Sequence, residues 1–470
     1  MKKRLVSVAI LLVMLLSLAS CVVSEDRYDY NMTKYINLID YNGYKIDLEL
    51  DSVQAAIDSS LMDYSTEYIV KVGDEVYIDI TAREVVYYEI EPGKMGDKRG
   101  DEIADLKEDG MLLKIGSNKY ASKVENSLLG SKIGEKTQLK IFLPDDFYKE
   151  EYRGKEVYLD VVVKSKECKE GEVVVVDYTG YYLDENGNKI ANPDKKDDKD
   201  EEYKTFDSNS NAKFFLGSKM AIDGFEENIV GMKTGDEKSF KATFPDDYEN
   251  KDVKGKTVEF KVKVKNIYVP PVYNDEFVKT HYPEYSSTKD FEQALKDKYI
   301  LSNIYEYIVS KSDVIKYPRA ELKEAKRELK DIEASFKETY GVDLDAYIEA
   351  YFDMTRDEYV KSNMKSEMVY YAIKQRENLE PTQEQLLQEV DSLIEYYKNY
   401  YMENENLDEK SAKAKAQSFV NNLGRTYAYE NVLFSMVDNL LIKKAVVTEK
   451  PRTYVSITEK IAEANKPVTE

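Results

Sequence analysis

The sequence predicts an α+β multidomain chain, with two tandem β-rich modules of about a hundred residues each (72–170 and 171–270) followed by an all-α domain. Three observations predict it. Residues 111–164 realign on residues 212–265 with a constant shift of 101 and no gap. Gly116, Gly130, Gly134, Pro144, Asp145, Asp146, Gly154 and Lys155 thereby fall on Gly217, Gly231, Gly235, Pro245, Asp246, Asp247, Gly255 and Lys256. A self-match of that length marks a duplicated folding unit. Stretches rich in β-branched and aromatic residues recur within the modules, and beyond Pro270-Pro271 the apolar spacing turns helical.

Residues 1–20 read as a secretory leader rather than as part of the fold. Lys2, Lys3 and Arg4 precede an apolar run from Val6 to Leu18, which falls short of the roughly 20 residues a bilayer needs. Leu18-Ala19-Ser20 ahead of Cys21 resembles the lipobox of bacterial lipoproteins. That resemblance implies a mature chain that begins at Cys21, carries lipid on its sulfur and sits on the extracytoplasmic face of the bacterial cell membrane. Residues 21–71 are expected to be a lipidated N-terminus and tether, polar and acidic over 22–40, with a short helix around Val53–Tyr64.

In the first module, Val76–Ile80 and Val157–Val163 read as strands. The second opens on Val173–Tyr178 and closes on the alternating run Val258–Ile267. Its charged insertion, 184–204, has no apolar periodicity and is expected to be a solvated, mobile loop. In the helical domain, 271–450, Leu322, Ala325, Leu329, Ile332 and Phe336 recur at 3-4-3-4 spacing. With Pro318 to start it and Gly341 past its end, that predicts one helix of about six turns. Thr382 and Gln385 resemble a capping box. Val432, Leu433, Met436, Leu440 and Leu441 form a last apolar stripe, and 451–470 is a C-terminal tail.

Composition excludes several function classes. The formal charge of −22 becomes −25 once Lys2, Lys3 and Arg4 leave with the leader. A surface so acidic argues against nucleic acid, which is bound through Lys and Arg. Cys21 and Cys168 are the two cysteines, so acylation of Cys21 leaves no side-chain disulfide possible within the chain. His281 is the sole histidine and is expected at the surface. His/Cys metal clusters and nucleophilic sites with a histidine base are therefore excluded, and no metal or cofactor is expected. Forty tyrosines against no tryptophan read first as composition bias, or else as amphipathic contact area for exposed, non-native chains.

The second module holds an ordered set: Asp177-Tyr178-Thr179-Gly180, Phe206-Asp207-Ser208, Phe214-Phe215-Leu216-Gly217, Ile222-Asp223-Gly224-Phe225-Glu226, Phe244-Pro245-Asp246-Asp247-Tyr248 and Phe260. This set resembles the FKBP-type peptidyl-prolyl isomerases. Asn274-Asp275-Glu276-Phe277 and Val446-Val447-Thr448-Glu449-Lys450 extend the likeness to the trigger factor family over about 171–450. The resemblance implies tandem FKBP-like half-barrels, each an antiparallel sheet around a helix, and a helical chaperone domain. It implies that Tyr178, Phe206, Asp207, Phe214, Ile222, Phe225, Tyr248 and Phe260 line a shallow pocket. By carry-over, the Ile222 backbone N–H and the Tyr248 hydroxyl donate to the substrate, with Asp207 beside the twisting carbonyl.

The first module departs from the pattern. Ile80, Leu113, Ala121, Val124 and Leu159 align with Tyr178, Phe214, Ile222, Phe225 and Phe260, and only Phe147 stands in for Tyr248. It is expected to be a degenerate module without activity. Nothing in the sequence resembles the basic Gly-Phe-Arg loop of the family's ribosome-docking domain, so the expected partners are unfolded or newly exported polypeptides with X-Pro bonds, and the membrane. The ribosome is not among them. The leading expectation is a lipid-anchored foldase; the alternative is a non-catalytic holdase or binding lipoprotein that uses the folds as scaffold. Oligomeric state is open.

Overall fold

The computed structural model describes residues 28, 30–118, 120–193, 202–453, 456, 458 and 459; the leader and Cys21 lie outside them. The chain divides into two compact units, one of 28–48 with 293–450 and one of 49–292 with the stretch from Pro451. Two short strands, β1 (Ile36–Asn37) and β2 (Lys45–Glu49), come first and belong with the helical unit.

The β-rich unit begins with α1 (Leu50–Asp63) and β3 (Thr66–Glu67). Its first sheet contains β4 (Glu75–Glu91), β5 (Lys94–Glu102), β6 (Glu108–Lys114), β7 (Lys136–Phe142) and β8 (Glu156–Ser165), with α2 (Ser122–Ser127) between β6 and β7. The second contains β9 (Val173–Tyr182), β10 (Thr205–Phe215), β11 (Glu237–Thr243) and β12 (Thr257–Val269), with α3 (Phe225–Ile229) between β10 and β11. Strand order is β5-β4-β8-β7 with β6 on β4, and β10-β9-β12-β11 with β3 on β12. All pairings are antiparallel.

The registers keep the alignment of the two copies: Ile80 faces Val161, and its counterpart Tyr178 faces Val262, the counterpart of Val161. Along β8 and β12 burial alternates, as a half-buried strand requires. Val157, Leu159, Val161 and Val163 point inward on one, and Val258, Phe260, Val262 and Val264 on the other. Each such side chain contributes about 1.5–3 kcal/mol. The unit continues into α4 (Asp275–His281), capped by the Asn274 side chain, which accepts from the Phe277 N–H. His281, expected at the surface, is half-buried and stacked on Tyr64 at 3.9 Å, because the turn after α1 brings that ring over it.

The helical unit holds α5 (Thr288–Lys311), β13 (Asp313–Val314), α6 (Arg319–Asp331), α7 (Glu333–Tyr340), α8 (Leu344–Phe352), α9 (Arg356–Glu377), α10 (Gln383–Glu405), α11 (Glu409–Lys444) and β14 (Val446–Lys450). β1 pairs with β13, and β2 with β14. The capping box at Thr382–Gln385 opens α10. The helix read over 319–340 is interrupted at Ile332, whose carbonyl accepts from the Ser335 hydroxyl at 3.0 Å. A serine that bonds back to its own helix competes with the regular ladder. No described helix is long and apolar enough to cross a membrane.

Near both chain ends the described residues are folded, which corrects the reading of 28–48 as tether. From Tyr28 the stretch read as tether is folded: Tyr28, Met32, Ile36 and Tyr41 are buried against Ile304, Met368, Ile373 and Leu433. The Tyr28 and Tyr41 hydroxyls donate to Glu367 and Glu377 at 3.0 and 2.7 Å, so each polar tip is satisfied while its ring is buried. The tail likewise starts as a docked segment. Arg452 donates to Gln54 of α1, and the Thr453 N–H and hydroxyl donate to Asp51.

Candidate active site

The second sheet is a half-barrel wrapped on α3, and its inner face gathers the aromatic residues. On β9, Tyr178, Gly180 and Tyr182 share one face by the period of two. β10 runs alongside with a register shift between Thr205 and Asp207. Such a bulge leaves one residue unpaired and re-aims its side chain. Here that residue is Phe206, and its ring lies over Gly180: a Cβ built on Gly180 would stand 2.4 Å from the ring's tip. Glycine at 180 is what admits the ring.

Phe225, in the first turn of α3, and Phe260, on β12, form a buried floor with centroids 4.9 Å apart. Tyr178 meets Phe214, Phe225 and Phe260 at 6.0, 5.9 and 6.2 Å, and Phe206 meets Phe260 at 5.6 Å. Most of these are edge-to-face contacts, the arrangement that ring quadrupoles favour. Phe244 links Phe206 at 5.6 Å to Tyr248 at 4.6 Å. Tyr178, Phe206, Phe214 and Ile222 are half-buried around the floor, whereas Tyr248 is 38% exposed. The structure thus brings together all eight residues singled out in the sequence, including Asp207, whose carboxylate accepts from the Tyr178 hydroxyl at 2.7 Å. Burial first, then that carboxylate, holds the Tyr178 hydroxyl well above the ordinary phenol range, so it stays a neutral donor.

Neither the Ile222 N–H nor the Tyr248 O–H has an acceptor among the described residues. The loop that carries Ile222 is fixed from below by a residue that sequence reasoning left without a role. Glu226, almost fully buried, accepts from the N–H groups of Gly217, Lys219 and Ala221 at 2.8, 3.1 and 3.0 Å. Burial pushes its carboxyl up while those donors pull it down, leaving it above the usual carboxylate range. The duplicate Glu125 binds Gly116 and Asn118 at 2.7 and 3.0 Å, so the clasp belongs to both modules. A Glu at matching positions of both copies was the available signal.

In the insertion, 194–201 lie outside the described residues, and the flanking parts are paired where a mobile loop was expected. Leu183 bridges Lys189 and Ala191 bridges Tyr203, and Lys189 pairs with Glu259 of β12 at 2.9 Å. Backbone pairing and an ion pair supply what apolar periodicity did not.

The first module closes the same position. Ile80, Leu113, Val124 and Leu159 have no exposed surface, and Ala82 stands where Gly180 stands. Tyr120, at the place of Ala221, packs edge-on against Phe147 at 5.4 Å, and each ring is 2% exposed. Where the second module leaves half-buried rings around a buried floor, the first has filled core.

Comparison with known proteins follows the same boundary. Residues 164–265 match the FKBP-type peptidyl-prolyl cis-trans isomerase family. The trigger factor of Caldicellulosiruptor saccharolyticus is 25% identical over 289 residues, 57% of this chain and 61% of that protein. The trigger factor of Mycoplasma mobile is 28% identical over 54% of each chain, and that of Carboxydothermus hydrogenoformans 29% identical over 50% of this chain and 56% of its own. The chain is similar to trigger factors over about half its length and carries a segment that matches the FKBP-type family. It spans between half and two thirds of the length of these trigger factors. A solved chain of the trigger factor chaperone aligns at 15% identity over 61% of this chain and 75% of its own, with a TM-score of 0.21, too loose a superposition to inform the fold. Among the described residues no group of His, Cys, Asp and Glu is placed to hold a metal ion.

Proposed function

We propose that the second module is a peptidyl-prolyl cis-trans isomerase and that the chain is a lipid-anchored foldase acting on unfolded exported polypeptides at the extracytoplasmic membrane face. The observation that carries this reading is the rimmed set of rings with two unpaired donors inside the FKBP-type segment.

The reaction breaks no covalent bond, so the site needs neither nucleophile nor general base. An X-Pro bond exchanges in tens to hundreds of seconds because partial double-bond character opposes rotation. Water bonded to the imide carbonyl reinforces that character. A proline ring seated on Phe225 and Phe260, between Phe206 and Tyr178, leaves this water behind. The Ile222 N–H and Tyr248 O–H then hold the flanking backbone while the carbonyl rotates beside Tyr178 and Asp207. Contacts that are stronger in the twisted state than in either planar one lower the barrier, and about 1.4 kcal/mol of such preference is a tenfold rate.

The first module, with its hollow filled, serves as a spacer or a chain-binding surface of FKBP-like ancestry. The helical unit supplies the chaperone surface through exposed rings and aliphatic groups, among them Tyr340, Tyr351, Leu387, Tyr396 and Tyr400. Amphipathic rings give broad contact to non-native chains at small entropic cost. The test is refolding of a protein whose slow phase is prolyl isomerisation: catalytic amounts of the full chain accelerate that phase, and an unchanged phase contradicts the foldase reading. Cys21→Ala tests the anchor, since membrane retention of the variant equal to that of the parent contradicts lipidation.

A further inference from the structure

The row of rings does not end at the pocket. Tyr182, next on the inward face of β9, meets Phe206 edge-on at 5.5 Å. Over its ring stand two ammonium groups, Lys204 Nζ at 5.3 Å and Lys256 Nζ at 5.8 Å from the centroid. Both lysines are exposed, and neither meets a carboxylate within ion-pair distance among the described residues. The lysines near Tyr181, on the other face of the sheet, are engaged there: Lys189 pairs with Glu259, and Lys241 donates to the Gly187 carbonyl. Among the described residues, Asp252 bears on the Tyr182 hydroxyl, while the two ammonium groups stand over its ring. A tyrosine face attracts cations, which holds this pair together in a protein whose formal charge is −22.

The opposite end of the row is acidic, with Asp207 on Tyr178. The row of rings therefore has an acidic end and a basic end. The duplicated module shows that the fold does not require this. At the register position of Tyr182 it carries Glu84, and the surface around Glu84 is lined by Glu102, Asp105 and Glu156 with Lys155. Tyr182 lies two residues along β9 from Gly180 and its covering Phe206, about 7 Å at strand rise, which an extended peptide crosses in about two residues.

We propose that Tyr182, Lys204 and Lys256 form a flanking subsite that selects X-Pro segments with an acidic side chain about two residues to one side of the proline. The proposal rests on the isomerase reading for its rate measurement, so the test includes a binding arm that does not.

The full chain is assayed on proline peptides with Glu, Gln or Lys two residues before or two residues after the proline. In one of the two placements kcat/KM for the Glu peptide is expected to exceed that for the Gln peptide by about twofold to fivefold at low ionic strength, the size of exposed charge pairs. That ratio is expected to fall toward one in about 0.5 M salt. In Lys204→Glu/Lys256→Glu the order inverts in favour of the Lys peptide, and in Lys204→Arg/Lys256→Arg the Glu preference persists. A Glu-to-Gln ratio near one in both placements, or a Glu preference that survives charge reversal, overturns the proposal. Fluorescence anisotropy of the same peptides reads the preference without turnover. Selective binding of the Glu peptide with no turnover keeps the subsite and sinks the isomerase reading; equal binding of all three sinks the subsite.

Discussion

Replacing Gly180 by alanine adds one methyl group at the point where the Phe206 ring crosses β9. The new Cβ would stand 2.4 Å from Cζ and 2.6 Å from Cε1 of that ring. Ordinary carbon–carbon contact lies near 3.5–4.0 Å, so the ring must move by roughly 1 Å or more. Phe244, Phe260 and Tyr182 hold it at 5.6, 5.6 and 5.5 Å, so the movement disturbs packed neighbours. The close contact is with the far edge of a half-buried side chain rather than with backbone. The expected stability cost therefore sits at the low end of the overpacking range, about 1 kcal/mol. The effect on rate is expected to be larger, because a shift of about 1 Å in a wall of the hollow can cost about tenfold to a hundredfold. A prolyl-isomerase assay on the full chain, with a thermal melt alongside, reads both quantities. Wild-type kcat/KM in Gly180→Ala would refute the placement of Phe206 as a working wall; parallel loss of melting temperature and rate would reduce the effect to unfolding.

Further outcomes follow from the buried polar groups of the same unit. Asp58 of α1 has no exposed surface and one carboxylate oxygen without a partner among the described residues. Burial raises its pKa to about 6; Glu226 adds to this, while the bond from Gln54 and the Arg452 charge oppose it. Because the folded value lies above the unfolded one, protonation of Asp58 stabilises the fold fully below about pH 4, and this contribution is lost as pH rises through about 6. Asp58→Asn should therefore gain on the parent by up to about 3 kcal/mol at pH 7 and lose the advantage near pH 4; melts whose difference is flat with pH contradict this. Glu226→Gln weakens the clasp under Ile222 and should cost about 1–3 kcal/mol of stability together with isomerase rate. Glu125→Gln should cost similar stability and leave the rate of the folded protein intact, and a fall in rate there would contradict a silent first module.

The duplication made much of the β-rich unit legible, because turn residues and inward-facing strand residues are local signals. Gly116 and Gly217 both adopt positive φ, 93° and 89°, where other residues are strained. The ring set of the site was readable only through its resemblance to the FKBP-type isomerases, because the duplicate carries Ile80, Leu113, Val124 and Leu159 where the second module has rings. What escaped depends on long-range pairing. β1 and β2 join strands that lie hundreds of residues later, and two- to five-residue strands leave no periodic trace. Tyr28 and Tyr41 look like surface residues in a polar stretch until their hydroxyls find Glu367 and Glu377. The insertion is held by cross-strand bonds and by Lys189, and the filling of the first hollow turns on which way Tyr120 and Phe147 point. Neither is written in composition.

The measurement that bears most directly on the central claim is cis–trans exchange of a short X-Pro peptide, followed by NMR magnetisation transfer, which needs no coupling protease. With catalytic amounts of the full chain the exchange should quicken well beyond the buffer rate, and Phe206→Ala or Tyr248→Ala in the folded protein should remove most of the gain. Exchange at the buffer rate with the parent chain, or equal acceleration by both variants, would contradict it.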